Sequence, residues 1–122
     1  MEKKACINRI LVVDDNIDIR LLLKKRLETE GYEVLTAENG QEAQEMIVSN
    51  PPCIVILDLM MPIMDGWQFM EWKKAQIKEL AELPVLVVSA VSNNIETPEG
   101  AAGVLRKPVS VTHMLDYIQS YC

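Results

Sequence analysis

Five side chains in this sequence could do chemistry together: Asp14, Asp15, Asp58, Ser89 and Lys107. Each stands at or just beyond the end of a short apolar run. Arg9-Ile10-Leu11-Val12-Val13 leads into Asp14-Asp15, Cys53-Ile54-Val55-Ile56-Leu57 into Asp58, Pro84-Val85-Leu86-Val87-Val88 into Ser89, and Val104-Leu105 lies just before Lys107. Gathering three carboxylates is costly, since two like charges about 4 Å apart repel by roughly 4 kcal/mol at an effective dielectric near 20. Such a group either takes up protons or collects a cation. Oxygen donors at a cleft open to water suit Mg²⁺, with Mn²⁺ as a substitute. No imidazole lies nearby in sequence, and the cysteines sit elsewhere than at the strand tips, so zinc and copper fit poorly. A carboxylate can also attack phosphorus to give an aspartyl phosphate. The equatorial oxygens of that transition state need neutralising. A divalent ion, the Lys107 ammonium and the Ser89 hydroxyl would supply this.

The blander readings are separate for each residue: Asp14 and Asp15 as helix caps, Asp58 as a turn cap, Ser89 as a turn serine, Lys107 as a surface lysine. Four polar strand ends on one edge are harder to dismiss than one.

The elements that must position these groups follow from hydrophobic period. The runs named above read as buried strands, joined by a further strand over Tyr32 to Thr36. The run before Asp58 has no polar alternation, as expected of a strand covered on both faces of a parallel sheet. Between the strands lie amphipathic helices. Asn16 to Glu30 carries Ile17, Leu21, Leu23 and Leu27, with Gly31 as its C′ stop and Lys24, Lys25 and Arg26 on its solvated side. Asn39 and Glu42 resemble a capping box for a helix through Ala43, Met46 and Ile47, which Pro51-Pro52 closes. Met61 to Gly66 makes a turn, with Asp65 and Gly66 structural. Trp67 to Lys78 is a third helix with Trp67, Met70 and Ile77 inward, and Val109 to Tyr121 is a last one on Val111, Met114, Leu115 and Ile118. Alternating strands and helices predict a parallel, doubly wound α/β sheet. In such a sheet ligands bind beyond the carboxyl ends of the strands, where strand order reverses.

The chain of 122 residues suits one domain over 1–122, with a core of about 8–120 and no effector domain. A net charge of −6 and scattered basic residues argue against a nucleic-acid footprint. No apolar run reaches the ~18 residues of a membrane span, and the charged start Met1 to Cys6 lacks a signal peptide's pattern. The expected location is cytoplasmic, with no membrane partner. Cys6, Cys53 and Cys122 are odd in number and far apart, so they read as reduced thiols. His113 reads as a surface residue on the last helix, and the seven methionines as core filler.

Together, Asp14-Asp15, the string Asp58-Leu59-Met60-Met61-Pro62-Ile63-Met64-Asp65-Gly66, Ser89-Ala90 and Lys107-Pro108 resemble the response-regulator receiver domain of two-component signal transduction. The match spans roughly residues 9 to 120, and the string from Asp58 is its most specific part. The resemblance implies five strands in the flavodoxin-like order 2-1-3-4-5. It implies that Asp58 is the phosphoacceptor. Asp15, Asp58 and the backbone carbonyl of Met60 would ligate Mg²⁺ directly, and Asp14 mostly through water. Ser89 would be the switch hydroxyl and Lys107 the cation on the phosphoryl group, with a cis Lys107-Pro108 bond. This sequence departs from the family at Val104, where an aromatic residue is usual, and in the short stretch from Ser89 to Lys107. Val91 to Gly103 is poor in helix formers, so the helix there is expected to be shortened, displaced or replaced by a loop.

The function expected on these grounds is a phosphorylation-dependent switch, not a turnover enzyme. A sensor histidine kinase or a histidine phosphotransfer protein would donate the phosphoryl group, and a downstream protein would read the result. The chain would be a monomer or weak dimer that catalyses only its own phosphorylation and slow dephosphorylation. The alternative is an interaction module of the same fold that ignores phosphate. A Mg²⁺-dependent aspartyl phosphatase ranks last, because Met60 stands where its second acid would be. A nucleotide site fails for want of a glycine-rich phosphate loop.

Overall fold

The computed structural model describes residues 8–58, 66–76, 78–89, 101–106 and 110–122. Five strands, β1 (Arg9–Val13), β2 (Glu33–Ala37), β3 (Ile54–Asp58), β4 (Val85–Ser89) and β5 (Gly103–Arg106), form one parallel sheet in the order 2-1-3-4-5. The strand order and the alternating α/β architecture agree with the sequence reading. The chain leaves β1 toward β2 on one side and returns past it to β3 on the other. The order therefore reverses between β1 and β3, the strands that end in the acids.

Each strand sends alternate residues to opposite faces. Leu11, Val13, Val55, Leu57, Val85 and Val87 meet Ala43 and Ile47 of α2 (Gly40–Ser49) and Phe69 and Met70 of α3 (Gly66–Lys74). Ile10, Val12, Ile54, Ile56, Leu86 and Val88 meet Leu23 and Leu27 of α1 (Ile17–Thr29) and Met114 and Ile118 of α5 (Val111–Tyr121). Two apolar layers on one sheet explain why these strands carry no polar alternation. On β1 and β3 the even-numbered residues face α1 and α5, and Asp14 and Asp58 continue that parity.

The helix boundaries have local causes. Asn16 is the N-cap of α1, its Oδ1 accepting from the amides of Asp18 and Ile19 at 2.8 and 3.1 Å. At the other end Gly31 adopts φ +100°, Gly31 N–H donates to Glu28 and Tyr32 N–H to Leu27. Those two bonds make a Schellman motif, which favours glycine at C′. Asn39 caps α2 by accepting from Glu42 N–H at 2.8 Å, and α2 ends at Ser49 before Pro51-Pro52. The Glu42 carboxylate accepts from Glu38 N–H at 2.7 Å, one residue earlier than a capping box would have it. Ser110 caps α5. At Gly103 a Cβ would lie 2.5–2.7 Å from the ring end of Tyr117, so any other residue would push that ring aside.

Several expectations need correction. Ile17 and Leu21 are 57 % exposed and Leu22 is 58 % exposed, whereas Leu23 and Leu27 are buried. Four of the five residues from Ile19 to Leu23 are apolar, so period alone left the orientation of α1 open. The third helix stops at Lys74, and a separate turn, α4 (Lys78–Ala81), follows. Among the described residues of the third helix the largest in the core is Phe69, with Met70 buried beside it; Ile77 and the Trp67 side chain lie outside the described residues. Trp72 packs on Phe69 with ring centroids 5.7 Å apart. The cysteines are also not all free: Cys53 and Cys122, 69 positions apart, are joined in a disulfide with Cα atoms 5.5 Å apart. Separation along the chain does not measure distance across a sheet, and the topology brings the amino end of β3 beside the end of α5. Asp65, Cys6 and residues 91–100, where a shortened helix was expected, lie outside the described residues. Val104 sits in β5, half-buried against the α2–α3 layer. His113 is exposed as expected.

Lys73 was not singled out by sequence, yet it is 3 % exposed and its Nζ donates to the Ala81 carbonyl at the end of α4. Burial holds its pKa below the ordinary lysine value, partly offset by the charge of Glu82. At Lys73 the unfolded chain therefore holds more protons than the folded one between that lowered pKa and the ordinary value of 10.5. The contribution of Lys73 to stability rises with pH across this window. In urea titrations at neutral pH and near pH 10, wild type is expected to gain stability relative to Lys73→Met. An unchanged difference between the two chains would refute this.

Candidate phosphoryl-acceptor and cation site

The sheet register brings the acids together. Val13 pairs with Leu57, so Asp14 and Asp58 are the next residues on adjacent strands at the carboxyl edge. Asp58 pairs in turn with Val88, one residue before Ser89, and Ser89 pairs with Arg106, one residue before Lys107. Four neighbouring strands thus bring Asp14, Asp15, Asp58 and the backbone of Ser89 to one edge, and the described part of β5 ends there at Arg106. Carboxylate oxygens of Asp14, Asp15 and Asp58 lie within 4.8 Å of one another. Asp14 and Asp58 are each 4 % exposed, while Asp15 is exposed. The Lys107 and Pro108 residues, their peptide bond, Met60, and the Ser89 side chain lie outside the described residues.

Asp14 is held from three directions. Its N–H donates to Ala37 at 3.1 Å, its Oδ1 accepts from Asn16 N–H at 2.9 Å, and its carbonyl accepts from Arg20 at 2.7 Å. Because Asn16 caps α1, Asp14 and Asp15 are not spent on that task. The capping explanation for them is thereby removed.

The three carboxylates fit a small divalent cation. Octahedral oxygen ligands at about 2.1 Å stand roughly 3.0 Å apart when adjacent and 4.2 Å apart when opposite. The observed spread needs only side-chain adjustment to match. An exposed Asp15 beside two buried partners leaves a wet side, which suits an ion that keeps some of its waters.

Beside the acids a cavity of about 250 Å³ runs between the sheet and the α1–α5 layer. Asp14 and Asp58 form its polar end. Val12, Ile56 and Val88 of the sheet, Ile19 and Leu22 of α1, and Val111 of α5 line the rest. The low dielectric of that wall strengthens every charge interaction at the Asp58 carboxylate. None of the described helices is long and apolar enough to cross a membrane.

Known proteins share both sequence and shape with this chain. Residues 10–119 match the family described as the response regulator receiver domain. The transcriptional regulatory protein SrrA of Staphylococcus aureus (strain NCTC 8325 / PS 47) is 40 % identical over 107 residues, covering 84 % of this chain and 43 % of that protein. The chain thus spans less than half the length of the curated relatives it matches. A response regulator receiver protein from Pseudomonas putida has a TM-score of 0.86 at 27 % identity, covering 96 % of this chain and 99 % of its own. The chemotaxis response regulator CheY4 of Vibrio cholerae has a TM-score of 0.84 at 30 % identity, covering 96 % of this chain and 100 % of its own. Receiver domains are signalling switches rather than turnover enzymes, act with histidine kinases, and generally bind Mg²⁺ through an acidic pocket. With the strand order, the acid cluster and these likenesses in hand, the chain belongs to the response regulator receiver domain family of two-component signalling.

Proposed function

We propose that this chain is a cytoplasmic phosphoacceptor switch in which Asp58 takes a phosphoryl group from a phosphohistidine donor. The observation that carries this reading is the meeting of Asp14, Asp15 and Asp58 within 4.8 Å at the reversal point of the sheet. Asp15, Asp58 and the Met60 carbonyl would hold Mg²⁺, with Mn²⁺ as a substitute, and Asp14 would act through a water. The bound ion supplies positive charge against the phosphoryl oxygens. An Asp58 carboxylate oxygen attacks phosphorus, an O–P bond forms, and the N–P bond of the donor imidazole breaks with its electron pair returning to nitrogen. Lys107 pairs with one equatorial oxygen and the Ser89 hydroxyl donates to another.

The donor would be a sensor histidine kinase or a histidine phosphotransfer protein. It must bring its imidazole to a carboxylate that is 4 % exposed. The exposed Ile17, Leu21 and Leu22, on the helix that follows Asp14-Asp15, offer it an apolar footing there. The receiver domain signals through a downstream protein, as a monomer or weak dimer, and does not itself bind nucleic acid or a membrane. The phosphorylated state can shift a conformational equilibrium only by the difference in its contacts between the two states.

The test is incubation with acetyl phosphate and Mg²⁺. A single adduct of about +80 Da, the mass of one phosphoryl group, is expected in wild type and absent in Asp58→Asn. No adduct at saturating donor would instead favour an interaction module indifferent to phosphate.

A further inference from the structure

The described residues contain one covalent feature for which the phosphoryl site has no use, the Cys53–Cys122 bond. Cys53 stands immediately before β3, at the opposite edge of the sheet from Asp58, and its N–H donates to Arg9 of β1 at 2.8 Å. Cys122 is the C-cap of α5, its N–H donating to Ile118 at 2.8 Å. Both residues are half-buried against the α1–α5 layer, so neither cysteine is sealed in the core. Their Cα separation of 5.5 Å is ordinary for a disulfide, and no backbone movement is needed to make or break it.

The two ends of α5 face different chemistry. At its first turn Val111 lines the cavity that holds Asp14 and Asp58. At its last turn the bond ties it to the root of β3, the strand whose far end is Asp58. Between them Met114 and Ile118 are the residues of α5 buried in the core. Val111, Leu115 and Tyr117 pack on the same layer less deeply, and the cross-link adds a covalent tie at the helix's far end. Without the bond its last turn is retained by apolar contact alone.

We propose that Cys53 and Cys122 form a redox-modification site, a dithiol–disulfide pair that sets how firmly the last turn of α5 is held to the sheet. The co-reactant is a small-molecule disulfide of the glutathione class. One protein thiolate attacks it, forming a mixed disulfide and expelling one small thiolate. The second protein thiolate then attacks that mixed disulfide, closing the Cys53–Cys122 bond and expelling the other small thiolate. Two electrons pass from the protein to the small disulfide, and the two protons lost by the cysteines end on the released thiols. Disulfides in a reducing compartment are usually transient or sensing, which is the situation of this pair if the cytoplasmic reading above holds. The redox chemistry itself does not depend on Asp58.

The chain is equilibrated in buffers running from reduced to oxidised glutathione. Free thiols are then alkylated, and amide exchange is followed across residues 111–122. Cys53 and Cys122 are expected to lose alkylation together as the buffer becomes oxidising. Exchange in the last turn of α5 is expected to slow on the order of tenfold in the oxidised chain. Cys122→Ser should exchange like the reduced wild type at every ratio. The proposal is overturned if the bond survives fully reduced glutathione, if the two thiols alkylate independently, or if last-turn exchange is equal in both forms. The reduced and oxidised wild-type chains suffice for that comparison if the variant does not fold. Acetyl phosphate labelling of the same samples reports on Asp58 separately, so a chain that takes no phosphoryl group overturns the phosphoacceptor reading and leaves these results standing.

Discussion

Replacing Asp14 and Asp15 together by asparagine is expected to abolish stabilisation by Mg²⁺ and to slow labelling of Asp58 by two orders of magnitude or more, about the cost of removing a preorganised charge-stabilising group. The reason is that the three carboxylates lie within 4.8 Å of one another. At that upper limit and an effective dielectric near 20, a like-charged pair repels by roughly 3.5 kcal/mol before the surroundings are counted, and closer pairs repel more. A divalent ion turns that repulsion into attraction, and the folded chain gains stability by mass action. With the ion tenfold above its dissociation constant the gain is about 1.4 kcal/mol. Asparagine at position 14 can still accept the Asn16 amide, and the Asn16 cap is untouched, so α1 should start as before. Thermal melts with and without Mg²⁺ read the outcome. Wild type should shift upward with the ion, and the double variant should not. In metal-free buffer the double variant should be at least as stable as wild type. An equal Mg²⁺ shift in both chains would show that the ion sits elsewhere.

Reducing the Cys53–Cys122 bond is expected to cost about 4 kcal/mol in the chain-entropy view, because the bond closes a long loop in the unfolded chain. The separation of 69 positions sets that figure. Against the roughly 5–15 kcal/mol that holds a typical domain together, this is a large fraction. Urea unfolding of oxidised and reduced chains reads it directly, and Cys122→Ser should behave as the reduced wild type. Cys6→Ser should leave the oxidised chain unchanged, since the bond is made by the other two cysteines. A loss below about 1 kcal/mol on reduction would mean that the unfolded chain gains little freedom when the bond opens.

Much of the fold was legible because its signals are local. The run from Arg9 to Val13 reads as a buried strand on composition alone, and it is β1. Gly31 after a charged amphipathic stretch reads as a helix stop, and its positive φ places it at C′ of a Schellman motif. The acids were legible for a related reason. A polar residue that ends an apolar strand must lie at a sheet edge, and a parallel sheet puts all its carboxyl ends on one side. What remained hidden depends on how elements dock. Leu21, Leu22 and Leu23 are equally apolar, and only the seating of α1 on the sheet buries Leu23 and leaves the other two in solvent. Lys73 looks like any helix lysine until α4 supplies a carbonyl for its ammonium.

By itself, then, the order of residues determined the alternation of strands and helices, where most of them stop, and which side chains stand at the strand tips. Those properties are set by hydrophobic period, caps and turn residues within a few positions of one another. Only the folded molecule decided that three carboxylates approach within 4.8 Å, that α1 turns Ile17, Leu21 and Leu22 outward, and that Cys53 meets Cys122. Each of these is a distance between segments remote in the chain. Such distances follow from strand register and from the way both helical layers settle on the sheet.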